Sequence, residues 1–271
     1  MRSRRVQQDR SRGLALLVGL LIALLNAPAA ADELTDALSH YAKLDYARAL
    51  EKLTPLAEQG NAVAQVKLGI IYSRAEGVPR DDAVALRWLT RAAEQGEPEA
   101  QFELGVMYRD GVGTPTDGKL AMQWFQRATE RGVPHAFNAI GELYLRHADI
   151  PQDYAAALVW FLRGAQLDDA DCLYNIGLRH ALGQGVEQDD IEAYKWLDLA
   201  ANISIGGLHS KAVRALQAIG ERLMPLQVAQ AKSGAQEWLR AHRSAPATLE
   251  ALLRGSRPMS DAALARQEQT E

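Results

Sequence analysis

The sequence predicts an all-α solenoid of helix–turn–helix repeats, and three observations carry the prediction. First, residue types return every 36 positions: Gly69, Gly105, Gly141 and Gly177 form one series and Trp88, Trp124, Trp160 and Trp196 another, in a chain with only five tryptophans. Ala85, Ala121, Ala157 and Ala193 keep the same phase, as do Asp81, Asp117, Asp153 and Asp189. Second, each period divides into two amphipathic stretches. Third, turn-forming residues separate the stretches at a fixed offset. A period of about 20–50 residues marks repeats that bury their apolar faces by stacking on their neighbours.

The chain opens with an export segment over residues 1–31. Five arginines precede the uncharged run Leu14–Leu25, and Ala27, Pro28, Ala29, Ala30 and Ala31 follow it. That basic, apolar, small order is the pattern of a secretory signal peptide, with cleavage expected after Ala31. A membrane span needs about 20 apolar residues, more than this run supplies. The implied location is the periplasm, with an uncleaved anchor facing the periplasm as the alternative. The whole chain has a net charge of -4, and losing five arginines and Asp9 with the segment leaves -8. An acidic surface is a poor match to nucleic acid.

Residues 32–63 read as a partial, capping repeat. Asp45, Ala49, Leu53 and Gly60 stand one period before Asp81, Ala85, Leu89 and Gly96, while Lys52 replaces the tryptophan. Full repeats follow over 64–99, 100–135, 136–171 and 172–207. In the first, Ala64, Leu68 and Tyr72 mark one face of helix A. Gly69 shares that side, where a missing side chain admits a neighbouring helix at a cost of about 1 kcal/mol in helix propensity.

Gly77-Val78-Pro79 is expected to end helix A, with Asp81 capping helix B through its carboxylate. Helix B then carries Ala85, Trp88, Leu89, Ala92 and Ala93. Gly96 and Gly132 suit left-handed stops, and Pro98 and Pro134 suit the first turn of the next helix A. The loop Arg146–Ile150 lacks the glycines found in the other loops. Residues 208–243 supply capping helices: His209–Leu223 with Val213, Leu216 and Ile219 inward, then one from Pro225 through Trp238 and Leu239. Residues 244–271 form a loose tail with one short helix, Leu249–Leu253.

The order Leu104, Gly105, Tyr108, Gly111, Gly113, Asp117, Ala121, Trp124, Ala128, Gly132 resembles the Sel-one-like repeat, a longer relative of the tetratricopeptide repeat. The resemblance runs from Ala64 to about Gly207. It implies a right-handed superhelix whose concave side binds a protein or peptide, as exported adaptors and regulators do. Cysteine-rich relatives described as hydrolysing β-lactams hold each repeat with a disulfide, whereas this chain has a single cysteine, Cys172.

Chemistry finds little purchase. The six histidines belong to no metal-spaced set, and neither a GxSxG elbow nor a phosphate-binding GxxxxGK[ST] loop occurs. Gly111–Pro115 repeats a turn position and is not a phosphate cradle. Cys172 falls in the series of Ala64, Ala100 and Ala136, so it reads as a small buried residue. His180 stands in the series of Tyr72, Tyr108 and Tyr144 and reads as a satisfied core histidine. The periodic aspartates cap helices one repeat apart. No catalytic residue, cofactor or metal is assigned.

Recognition is sought on helix A, at positions that vary between repeats: Lys67, Glu103, Ala139 and Asn175 at one offset, Ser73, Arg109, Leu145 and Ala181 at another. The candidate groove residues are Lys67, Glu103, Asn175 and Arg109. The sequence thus points to a non-enzymatic periplasmic interaction scaffold or regulator, with an envelope enzyme acting on β-lactam or cell-wall material as the alternative.

Overall fold

Each repeat's aspartate closes the loop in front of it and caps the helix behind it. The Asp81 N–H donates to the Tyr72 carbonyl (3.1 Å) and its carboxylate accepts from the Val84 N–H (2.9 Å). Asp117 does the same with Tyr108 (2.8 Å) and Leu120 (2.8 Å), and Asp153 with Tyr144 (3.0 Å) and Ala156 (2.8 Å). Asp189 bonds the carbonyl of His180 (3.0 Å) and accepts from Ile191 and Glu192. The loop bond uses backbone atoms only, so it survives the exchange of tyrosine for His180.

The computed structural model describes residues 32–244, all of whose regular structure is helical. Residues 1–31, expected to direct export, and those after Ser244, with the short helix expected over Leu249–Leu253, lie outside the described residues. Helix α1 covers 32–42, followed by α2 (Tyr46–Glu58). Four helix pairs come next: α3 (Ala62–Arg74) with α4 (Asp82–Glu94), α5 (Pro98–Asp110) with α6 (Gly118–Glu130), α7 (Pro134–Arg146) with α8 (Tyr154–Ala165), and α9 (Ala170–Leu182) with α10 (Asp190–Ile203). Helices α11 (Gly206–Gly220) and α12 (Pro225–Ser244) close the described chain. Among the described residues no helix is long and apolar enough to cross a membrane.

Helix A stops earlier than the Gly77-Val78-Pro79 segment suggests. Helix α3 ends at Arg74, and Ala75 takes the left-handed conformation (φ 56°) before Gly77 (φ 75°). Gly111 and Gly183 hold the first of these two positions in other repeats, and Gly113 and Gly185 the second. The glycine-free loop solves the turn differently. His147 is extended (φ -83°), and Asp149 Oδ2 accepts from the Gly118 N–H at 2.8 Å, tying the loop to the first residue of α6. Helix-B stops fall on Gly60, Gly96 and Gly132, with Asp168 (φ 56°) taking the place of glycine in the next repeat.

The glycines of helix A receive a large side chain from helix B twenty residues on. A Cβ added to Gly69 would lie 2.5 Å from Leu89 Cγ, one on Gly105 2.6 Å from Phe125, one on Gly141 2.3 Å from Phe161, and one on Gly177 2.7 Å from Leu197 Cγ. Each partner directly follows a periodic tryptophan. Arg91, Arg127 and Arg163 lie over Trp88, Trp124 and Trp160 at 5.0, 4.5 and 4.8 Å, while Lys195 covers Trp196 at 4.9 Å. The three arginine contacts repeat with the 36-residue period, whereas Lys195 reaches its ring from the position before the tryptophan.

The described helices form two compact units, one up to Ala100 and one from Gln101 onward. In the first, Ala37, Leu53, Leu56, Leu68 and Ile71 build the core, with Trp88 packed against it. Lys52, at the position of the tryptophans, instead bonds Asp36 Oδ2 at 2.7 Å. In the second unit, Phe125, Phe137 and Phe161 are fully buried.

Helices α11 and α12 both pack on α10. Helix α11 starts at Gly206 rather than His209, and Val213, expected to face inward, is 41% exposed because Ala212 and Ile219 take the inner face. Trp238 of α12 meets Trp196 edge-on at 5.6 Å and stacks on His242 at 4.7 Å. His242 Nε2 lies 3.2 Å from Asp168 Oδ1, so the terminal helix reaches back to the left-handed residue after α8.

Candidate functional site

In the unit from Gln101 onward, the last turns of α5 and α7 enclose a pocket of about 300 Å³ lined by Arg109, Asp110, Glu142, Leu143, Arg146 and His147. Consecutive helices A present matching positions to each other, so their C-terminal ends converge there. Arg109 grips Asp110 with two bonds, Nε to Oδ1 at 2.7 Å and Nη2 to Oδ2 at 2.8 Å. That fork raises the guanidinium pKa against the effect of burial. Arg146 Nη2 pairs with Glu142 Oε1, one turn earlier, at 2.9 Å. The walls therefore alternate in sign and leave donors and acceptors side by side.

His147 fastens the pocket floor. Its Nε2 lies 3.2 Å from the Arg109 carbonyl oxygen, and its Nδ1 contacts Asp149 Oδ1. Burial pushes the Asp149 carboxyl up, but bonds from the Gly118 and Asp149 N–H groups, with the His147 charge, hold it below its ordinary value. The loop that departs from the glycine pattern is thus the one that builds this wall.

The candidate groove residues have different surroundings. Arg109 lines the pocket. Asn175 Nδ2 donates to Asn138 Oδ1 at 2.8 Å, bridging α9 to α7. In the first unit, Lys67 Nζ bonds Glu99 Oε2 at 2.9 Å and lies 5.8 Å from the Tyr41 ring centroid. Glu103 is half-buried on α5. Three further positions assigned to the groove are not on it: Ala139, Leu145 and Ala181 are 3%, 9% and 8% exposed, because helix A is covered on more of its circumference than the spacing suggested. Ser73 turns back to its own helix, donating to the Ile70 carbonyl at 3.0 Å.

A second polar constellation joins the N-terminal turns of α7 and α9. His135 Nδ1 lies 2.6 Å from Asp169 Oδ2, and Asp171 brings a third donor atom, all within 4.8 Å of one another. Sequence spacing gave no hint of it, since the residues meet only when two repeats stack. Burial, then the charge of Asp169, raises the Asp171 pKa.

Cys172 is fully buried, and burial followed by Asp169 raises its thiol pKa far above the ordinary value, which disfavours a thiolate nucleophile. His180 is not the satisfied histidine expected. Its Nδ1 is buried with no hydrogen-bond partner, and burial lowers its pKa.

Comparison with known proteins gives a consistent result. The Sel1 repeat model matches residues 62–97, 98–133, 135–169 and 170–203. The crystal structure of the Sel1 repeat protein from Oxalobacter formigenes is similar, with 30% identity and a TM-score of 0.57 over 63% of this chain and 68% of that one. So is c5321, a protective antigen present in uropathogenic Escherichia coli strains and displaying an SLR fold, with 27% identity and a TM-score of 0.65. That match covers 79% of this chain but 44% of c5321, so the similarity spans under half of the antigen. No curated protein matches the chain.

Proposed function

The chain belongs to the Sel1 repeat family, and from that premise we propose that it is a scaffold or regulator that holds a protein or peptide partner on the helix-A face of residues 101–244. Protein–protein interaction is the general role of Sel1 and tetratricopeptide-like repeats, and we read this chain as a non-enzymatic member. Its periodic aspartates cap helices and its one cysteine is buried. The finer reading, a periplasmic partner recognised at the pocket beside Arg109, rests on one observation. Helix A keeps its packing residues constant while its ends at Arg109, Glu142 and Arg146 supply paired charges around an open cavity.

Such a cavity suits an extended segment carrying both a carboxylate and a donor, which can exchange with the intramolecular pairs of Arg109 and Arg146. The order of residues 1–31 supports export, with a periplasm-facing anchor as the other location. Crosslinked affinity capture from native envelope extract tests the reading. The wild-type chain should recover a saturable partner, and Arg109→Glu should abolish recovery while circular dichroism stays unchanged. Equal recovery by wild type and Arg109→Glu would rule out the pocket as the docking site.

A further inference from the structure

We propose that His135, Asp169 and Asp171 form a binding site for a divalent transition-metal ion of the zinc class, clasped between the first turns of α7 and α9. The donors come from two successive repeats: His135 is the second residue of α7, Asp169 precedes α9 and Asp171 is its second residue. One nitrogen and two carboxylate oxygens converge within 4.8 Å. The Asp169 side chain has no exposure, whereas that of His135 is 67% exposed. The site therefore has a fixed, buried anchor and a movable outer ligand.

The chemistry of Asp169 argues for a cation. Its Oδ1 accepts the Cys172 N–H at 2.8 Å, which fixes the carboxylate and turns Oδ2 toward His135 Nδ1. Asp171, two residues along the chain, adds a second carboxylate within 4.8 Å of the other two donor atoms. A divalent ion would relieve both carboxylates at once, and a buried charge is retained only where it is paired or coordinates a metal.

The ligand set decides the class of ion. Imidazole with carboxylate suits zinc and its neighbours, while calcium asks for about six to eight oxygens and magnesium for near-octahedral oxygen geometry. The Cys172 N–H on the far oxygen of Asp169 orients the ligand as outer partners do in metal sites. The 2.6 Å separation of Nδ1 and Oδ2 must widen to admit the ion, and the exposed His135 ring is free to swing. With its outer side open, the site leaves positions for water. A metal here would staple the third repeat to the fourth and stiffen their junction.

The test is isothermal titration of Zn2+ into the EDTA-treated full chain at neutral pH, with thermal unfolding in parallel. One saturable site and a rise in Tm are expected. His135→Gln and Asp171→Asn, both outside the packed core, should keep the helical spectrum and weaken binding by at least about tenfold, the scale of losing even an outer partner in a metal site. His209→Gln, on exposed α11, should bind as the wild type does. Absence of saturable binding, equal affinity in the His135 and Asp171 variants, or preference for Ca2+ or Mg2+ over Zn2+ would overturn the assignment. In the first two outcomes the trio is a metal-free bridge between repeats.

Discussion

Gly164 and Cys172 are a matched pair: a Cβ added to Gly164 would lie 2.3 Å from Cys172 Sγ. The corresponding pairs in other repeats, Ala92 with Ala100 and Ala128 with Ala136, are both alanine and all fully buried. One repeat junction has thus moved volume from one helix to the next, with the larger thiol sitting where a methyl group is missing.

The exchange predicts a coupled pair of substitutions. Gly164→Ala should destabilise by about 1–2 kcal/mol, since overpacking outweighs the gain in helix propensity. In a Cys172→Ala background the same change restores the alanine pair and should be neutral or stabilising. Urea unfolding of the four proteins gives the coupling energy. Equal costs for Gly164→Ala in both backgrounds would show that the contact does not govern packing here.

Ala75 carries a backbone conformation that Gly111 and Gly183 adopt without a side chain. A left-handed alanine costs about 1 kcal/mol, and glycine gives part of that back through a more flexible unfolded chain. Ala75 is exposed, so no packing is lost. Ala75→Gly should stabilise by roughly 0.5 kcal/mol, and Gly183→Ala should destabilise by about 1 kcal/mol. Denaturant midpoints check both signs, and a destabilising Ala75→Gly would refute the strain argument.

Much of the fold was legible because its determinants are local or periodic. The aspartate caps lie three residues from the N–H groups they accept, and each glycine of helix A meets a residue at a constant offset. The arginine three residues after Trp88, Trp124 and Trp160 was also visible, but an exposed charge on a helix gives no sign that it covers a ring. The candidate site was less legible for a geometric reason. Whether His135 meets Asp169, or Asn138 meets Asn175, depends on how one helix A is rotated against the next, and a small error in rotation exchanges inner and outer positions. Ala139, Leu145 and Ala181 went astray this way. The Asp149–Gly118 contact was hidden too, because the loop's missing glycines read as a weakness and not as an alternative anchor.

The terminal helix should be held mainly through one aromatic column. Trp238 touches Trp196 and stacks on His242, which pairs with Asp168. Trp238 is only partly buried, so Trp238→Ala should cost roughly 2 kcal/mol, below the 3–5 kcal/mol typical of large core aromatics. Hydrogen exchange should show α12 losing protection while α7 and α8 keep theirs. Uniform loss across the unit would mean that α12 folds as part of the core and not as a separable cap.

His180 predicts a pH dependence. Burial lowers its pKa from the usual 6.5, outweighing the pull of Glu192 and Asp189, while Lys195 adds to the lowering. In the unfolded chain this imidazole takes a proton near its ordinary pKa, before the folded chain does. The unfolded state therefore binds more protons between the two values, and stability falls as pH drops below 6.5 toward the lower folded value. His180→Tyr restores the residue type of Tyr72, Tyr108 and Tyr144 and leaves the backbone bond from Asp189 intact. The other five histidines are common to both proteins. The difference between their unfolding free energies, followed from neutral to mildly acidic pH, thus isolates position 180. The tyrosine variant should lose less stability on acidification, and parallel pH profiles would show that His180 contributes nothing to it.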